Sequence, residues 1–377
     1  MAKKRKYNDM AEKQADLIAA PQIKYQPPMP RRLSRPIGLI GCGGISESHL
    51  KAYKKMGLNV VAMCDLIEER AQNRAKAFYP DADVYTDYKQ LLKRDDIEVV
   101  DIATHPQDRE YLIPAALKAG KHVLSQKPFV LDLNKGKKFA ELATKMGVIL
   151  AVNQNGRWSP HWSWVRNAIL KNKIGKVDAV HLNCHWSHDW IADSHFNRVH
   201  HIVLYDYAIH WFDALASFMP ESQAVRVTAN LSHATVQRAT PPLLGQVLVE
   251  FDHGHASLVF DGAVNYGGKD DGYIIGSKGT LQYDAAGLTG HQVQLITQRG
   301  KAIPQLHGQW FEEGFMGSMG ELLCAIEQKR QPLNNPIDNL RGLAICFAAV
   351  VSAQTGQTQT VGKVRKAPLE TCMVADA

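Results

Sequence analysis

The stretch LYDYAIHWFD, residues 204–213, sets Asp206 and His210 four positions apart in otherwise apolar and aromatic surroundings. On a helix that spacing stacks both side chains on one face, roughly 6 Å apart. A histidine, with an unperturbed pKa near 6.5, can take the proton of a hydroxyl group. A carboxylate one turn earlier can orient the ring or bind a neighbouring hydroxyl. Read alone, the pair is better explained as a buried ion pair that locks a helix in place.

A second signal lies upstream, in GCGGIS, where Gly41, Gly43 and Ser46 occupy the three positions of G-x-G-x-x-G around Gly44 and Ile45. The first glycine allows a tight turn, the second lets backbone approach a pyrophosphate, and a small third residue permits close helix packing. Asp65 follows 24 residues after Gly41, at the end of the next apolar run. A carboxylate there accepts both ribose hydroxyls of NAD and repels the 2′-phosphate of NADP, and Leu66 and Ile67 bring no cation to offset it. NAD is therefore expected over NADP. In GKHVLSQKPF, residues 120–129, Lys127 stands between a buried strand and a proline. That puts it at the carboxyl edge of the sheet, within reach of a substrate hydroxyl or the nicotinamide ribose.

These residues need a frame, and the sequence supplies one in two parts. The runs at 37–41, 60–65, 84–87, 99–104, 122–126 and 148–154 are short, and most are β-branched and apolar on both faces, as buried parallel strands should be. Helix-like stretches such as SESHLKAYKKM and LNKGKKFAELATKMG alternate with them, which predicts a doubly wound Rossmann domain over 37–155. From 156 to 377 longer runs of alternating polarity predict an α+β domain built on a large open antiparallel sheet, closed by two helices that pack back toward the first domain. Residues 1–36 form a basic, proline-containing arm. It carries nine Lys and Arg against three acids, hence nearly all of the chain's net charge of +7. The rest is close to neutral, so no nucleic-acid partner is expected. No run approaches the roughly 20 uninterrupted apolar residues of a membrane span. The twin arginines at 31–32 lead into a strand and glycine turn rather than a cleavable segment. The six cysteines have no paired spacing, which argues against a disulfide framework or thiolate metal site and for a cytoplasmic protein. In HWSHD, His185 and His188 would face opposite sides of a strand, so no metal site is assigned.

Together the strand–GxGxxS–helix start, GKHVLSQKP, NQNGRWSP at 153–160 and DYAIH at 206–210 resemble the Gfo/Idh/MocA oxidoreductases, from about residue 37 to the last helix. The resemblance implies an NAD(P)-dependent dehydrogenase of sugars, inositols or similar polyols. Its E-K-P and D-x-x-x-H motifs fall on Lys127 and on Asp206 with His210 as the residues at the substrate. It also implies Gly41, Gly43, Gly44, Ile45, Ser46, Asp65, Thr104, Gln126 and Lys127 along the cofactor. Gln126 stands where the family has Glu, NRVHHIVLY replaces glycines ahead of Asp206, and THPQDR departs from T-P-N-x-x-H around Thr104. Six of the seven tryptophans fall between 158 and 211, among many histidines. Aromatic faces suit the C–H face of a pyranose and imidazoles suit its hydroxyls, so Arg157, Trp158, His185, Trp186 and His201 are the substrate-side candidates. Two other activities suit the same fold: a glycosidase that oxidises its sugar transiently and retains NAD, and a non-catalytic NAD-binding protein. A homodimer or homotetramer built on the antiparallel sheet is expected, with the proline arm ordered against another subunit.

Overall fold

The computed structural model describes residues 15–199 and 201–368. The MAKKRK run, His200 and Cys372 lie outside the described residues. The arm contributes β1 (Leu17–Ile18). The first domain then runs β2 (Pro36–Ile40), α1 (Ser46–Met56), β3 (Asn59–Cys64), α2 (Glu68–Phe78), β4 (Asp83–Tyr85), α3 (Tyr88–Leu92), β5 (Val99–Ile102), α4 (Pro106–Lys118), β6 (His122–Gln126), α5 (Leu133–Met146) and β7 (Leu150–Asn153). All six strands from β2 to β7 are parallel, in the order β4-β3-β2-β5-β6-β7. That order reverses between β2 and β5, which opens a crevice at their carboxyl ends. Helix α1 stops where Gly57 adopts φ 71, and α5 stops at Gly147 with φ 69, left-handed conformations that glycine takes without strain.

The second domain comprises α6 (Pro160–Leu170), β8 (Val177–His185), α7 (Ile209–Phe218), β9 (Ala224–Ser232), β10 (Leu244–Phe251), β11 (His255–Asp261), β12 (Lys269–Gly276), β13 (Gly279–Ala286), β14 (Thr289–Thr297), β15 (Gly300–Ala302), α8 (Trp310–Gln328), α9 (Pro336–Thr355) and β16 (Gln359–Thr360). Its ten-stranded sheet has the order β1-β15-β14-β13-β12-β8-β11-β10-β9-β16. The expected antiparallel sheet is in fact mixed, because β8 lies parallel to β11 and the arm strand parallel to β15. One face carries the buried residues of the core. The other presents His181, His185, Leu248 and Tyr273 toward solvent.

Helix α8 leaves the second domain to complete the first, burying Phe315, Met319, Leu322 and Leu323 against Leu39, Met63 and Leu124. Helix α9 is long and apolar enough to cross a membrane by length and composition, but most of it is buried in the core against α5, α7 and β9.

The arm runs over its own chain. Ile23 and Tyr25 are buried, Ser163 and Asn167 donate to the carbonyls of Tyr25 and Lys24, and the Arg31 and Arg32 amides donate to Glu327 of α8. Arg32 and Arg35 both pair with Glu98, at the foot of β5. The guanidinium groups of Arg32 and Arg35 thus meet a carboxylate that the chain itself provides.

Candidate active site

At the nucleotide end of the crevice, Gly41 adopts φ +96 with its Cα pressed against the turn after β5, where an added Cβ would lie 2.9 Å from Thr104 Cγ2. Gly43 and Gly44 face open space, with no atom within 4 Å of an added Cβ. Ile45 caps α1, and the buried Ser46 hydroxyl donates to the Gly43 carbonyl at 2.6 Å. An open glycine turn at a helix N-terminus fits a pyrophosphate. Asp65 accepts from the amides of Cys42 (2.7 Å) and Ile67 (2.9 Å). A carboxylate offers about four acceptor directions, so two remain for ribose hydroxyls. These residues fit an NAD molecule laid along the edge of the sheet. Sequence reasoning missed Arg74, which donates to the Gly43 carbonyl and pairs with Glu47 at 2.9 Å.

Strand β6 ends on two residues that point opposite ways. Gln126 turns into the first domain. Its Oε1 accepts from the Lys127 amide (2.7 Å), which leaves its Nε2 to donate to His49 Nε2 (3.2 Å). The His49 proton therefore sits on Nδ1, donated to Asp101 at 2.7 Å, and Tyr53 donates to the same carboxylate at 2.6 Å. With Glu at 126 both partners of the ring would be acceptors, whereas the Gln126 amide can donate to it. His49, Tyr53 and Asp101 are fully buried.

Lys127 turns outward, and its Nζ lies 3.0 Å from Asp206 Oδ1 and 3.2 Å from the Asp206 carbonyl. The turn that presents it is pinned by Arg109, fully buried, whose guanidinium donates to the carbonyls of Thr104 and Pro128. Arg109 was also missed. Its only signal was a cation in THPQDR, and burial pushes its pKa down to about 10.

Asp206 lies not in a regular helix but in a π-turn over Val203–Tyr207, closed by the Ala208 amide donating to the Val203 carbonyl at 2.7 Å. Helix α7 then carries His210. Burial works against the Asp206 carboxylate, but the Lys127 ammonium, its hydrogen bond and His210 together hold the pKa below the ordinary value. Asp206 thus orients Lys127, while His210 Nδ1 is buried without a hydrogen-bond partner among the described residues. The ring stands edge-on to Trp310 at 5.4 Å. Burial first, and Lys127 second, push its pKa down to about 3, so at neutral pH it is an unprotonated acceptor.

The structure adds His188, which was not among the site candidates. Its ring lies 4.4 Å from that of Tyr207, and it feels both Asp206 and Lys127, with burial driving its pKa to about 4. Trp186 packs partly buried against Tyr207, Trp211 and Trp310.

The structure places four of the substrate-side candidates in other surroundings. Arg157 is buried against Asp213 (2.6 Å) and Asp338 (2.7 Å), so its charge is spent on holding α7 to α9. Trp158 is buried against Gly317 and Arg166. His185 pairs with Asp261 at 2.7 Å on the open sheet face, away from the crevice and from His188. His201 is buried in the turn ahead of Val203, where its carbonyl accepts from Leu204 and Tyr205.

Residues 35–154 match a family model described as oxidoreductase family, NAD-binding Rossmann fold, and residues 162–282 match the GFO/IDH/MocA C-terminal domain. The chain is 36% identical over 123 residues to D-apiose dehydrogenase of Paraburkholderia graminis, covering 32% of each chain. It is 33% identical over 112 residues to inositol 2-dehydrogenase of Salmonella typhimurium, covering 29% of this chain and 33% of that one. The matched stretches thus span about a third of the length of these curated relatives. An oxidoreductase from Agrobacterium radiobacter, solved with NAD+, L-tartaric acid and magnesium, superposes with a TM-score of 0.78 over 87% of this chain and 99% of that one, at 21% identity. A levoglucosan dehydrogenase solved with NADH and levoglucosan gives 0.73 over 88% and 100%, at 19% identity. At such identities the superpositions speak to the fold.

Proposed function

The chain belongs to the Gfo/Idh/MocA oxidoreductase family, and from that premise we propose that it is an NAD-dependent dehydrogenase acting on a secondary hydroxyl of a sugar, glycoside or polyol. The observation that carries this reading is the partly exposed, unprotonated His210 beside the Lys127–Asp206 pair, at the carboxyl edge of the parallel sheet. NAD bound along the glycine turn supplies the acceptor for the hydride and its two electrons. His210 takes the hydroxyl proton on a ring nitrogen. Lys127, aimed by Asp206, donates to the same oxygen and stabilises the negative charge that grows on it. Arg109 holds the turn that keeps Lys127 in place, and the surrounding tryptophans exclude water.

On this reading Gly43, Gly44 and Ile45 receive the pyrophosphate, Asp65 the adenosine ribose, and Thr104 and the backbone at Gln126 flank the nicotinamide end. The open sheet face joins copies of the chain into a cytoplasmic homodimer or homotetramer, which the solution mass checks. The deciding experiment incubates the purified protein with NAD and a panel of sugars, methyl glycosides and inositols while NADH absorbance is followed. NADH formation with an oxidised product supports the proposal. Aglycone release without net NADH, or binding of NAD without turnover on any polyol, rejects it.

A further inference from the structure

The segment that leaves β8 carries an arc of rings. His188 lies 4.4 Å from Tyr207, next to Asp206, and Trp190 lies 5.1 Å from His188. Phe196 follows at 6.1 Å from Trp190, His195 at 4.2 Å from Phe196, and His105 of the first domain at 5.6 Å from His195. The arc thus begins beside the Lys127–Asp206 pair and ends one residue beyond Thr104, at the cofactor edge.

Within it Trp190 is 53% exposed, whereas Trp158, Trp162, Trp164, Trp211 and Trp310 are buried. Its exposure does not come from a loose loop. Next to it the Asp189 carboxylate accepts from the amides of Arg238 and Ala239, each at 2.8 Å, and on the other side Ile191 is fully buried. The His188 amide donates to the Gly262 carbonyl at 2.6 Å, and Asn197 accepts from the Thr240 amide at 2.8 Å. The segment is fastened at both ends and in the middle, with a large apolar face left toward solvent. A fixed, exposed aromatic face flanked by imidazoles is what a sugar ring requires, C–H groups on the indole and hydroxyls on the ring nitrogens.

We propose that residues 188–196 form an outer saccharide subsite with Trp190 as its stacking platform. The substrate is then a glycoside: one pyranose reacts between Lys127 and His210, and a second sugar ring or an aryl aglycone lies on Trp190. A free polyol seated between Lys127, His210 and Trp186 would not reach it, since Trp190 stands two ring contacts out from Tyr207. The proposal rests on the dehydrogenase reading for the inner ring but makes a separate claim about the outer one.

The test uses the full chain saturated with NAD and measures affinity by calorimetry and by quenching of tryptophan emission, neither of which needs turnover. The probes are methyl glucoside as the one-ring ligand, and maltose, cellobiose and p-nitrophenyl glucosides as two-ring ligands. At least one two-ring ligand should bind about tenfold more tightly than methyl glucoside. Trp190→Ala should collapse that ratio toward one, and Trp190→Phe should keep most of it. Because Trp190 packs little of the core, the melting temperature of both variants should stay near that of the parent. A wild-type protein that binds no two-ring ligand more tightly than methyl glucoside overturns the proposal, as does a Trp190→Ala variant that weakens all ligands equally. Two-ring binding through Trp190 without NADH formation would reject the dehydrogenase reading and leave the subsite standing. NADH formation from glycosides with Trp190→Ala indifferent would do the reverse.

Discussion

Two clusters of imidazole and carboxylate sit back to back across the end of β6, separated by the step from Gln126 to Lys127. In the inner one, His49 spends both ring nitrogens on Asp101 and Gln126, and the Asp101 Oδ2 that receives it also accepts from Tyr53. In the outer one, Asp206 engages Lys127, and His210 keeps a nitrogen without a partner among the described residues. Both contain an acid, a base and a buried ring. The difference is access: His49, Tyr53 and Asp101 are fully buried, whereas Lys127, Asp206 and His210 are each partly exposed, and that marks the cluster expected to do chemistry.

The sharpest way to break this contrast is to remove one base from each side. His210→Ala should lower kcat by roughly a hundredfold or more, as loss of a general base does, with NAD affinity and melting temperature close to the parent. Turnover that survives would place the base elsewhere. Asp101→Asn should do the opposite. It puts an amide where His49 and Tyr53 both donate, and should cost on the order of 1–3 kcal/mol of stability, read by urea denaturation, while kcat in the folded protein stays within a few-fold. A large fall in kcat without a fall in stability would mean that the inner cluster is part of the reaction.

A smaller effect is expected at the nucleotide edge. Asp65→Ala should weaken NAD by about tenfold, the scale of a lost hydrogen bond to a charged group, and narrow the preference over NADP, both read from equilibrium titration. Tighter binding of NADP than NAD by the parent protein would overturn the role given to Asp65.

The smallest effect cuts across the comparison. Burial lowers the pKa of His210 and His161 to about 3 and of His188 and His291 to about 4, from 6.5. The unfolded chain therefore takes up more protons than the folded one below pH 6.5, so these four rings make stability fall as pH drops from about 6.5 toward 4. Asp270 opposes them: burial raises its pKa from 3.8 to about 7, so the folded state binds the extra proton there and gains stability over that window. The melting temperature should decline by several degrees between about pH 7 and 5. A rise would show that Asp270 outweighs the four histidines.

Much of the frame was legible because its signals are local. Each parallel strand is a short apolar run, and the glycine turn and Asp65 lie at either end of one βαβ unit. Lys127 and Asp206, 79 residues apart, could be nominated only one at a time from their own motifs, and their meeting at 3.0 Å is a product of packing. Arg157 was misjudged for the same reason. Beside NQNG it looks like a substrate contact, but its partners Asp213 and Asp338 come from α7 and α9, at separations no periodicity reveals. The π-turn escaped because its extra residue leaves the D-x-x-x-H spacing unchanged in the sequence. His188 escaped because the strand ends before it, so the alternation applied to HWSHD does not reach that far.

The placement of the arm also bears on the order in which the molecule is made. Leu17 and Ile18 pair with Lys301 and Ala302, and the Arg31 and Arg32 amides close on Glu327. A chain emerging from its N-terminus can form the β2–β7 sheet long before those partners exist, since domains generally fold as units during synthesis. The arm, synthesised before β2, therefore finds its place only after β15 and α8 have been made.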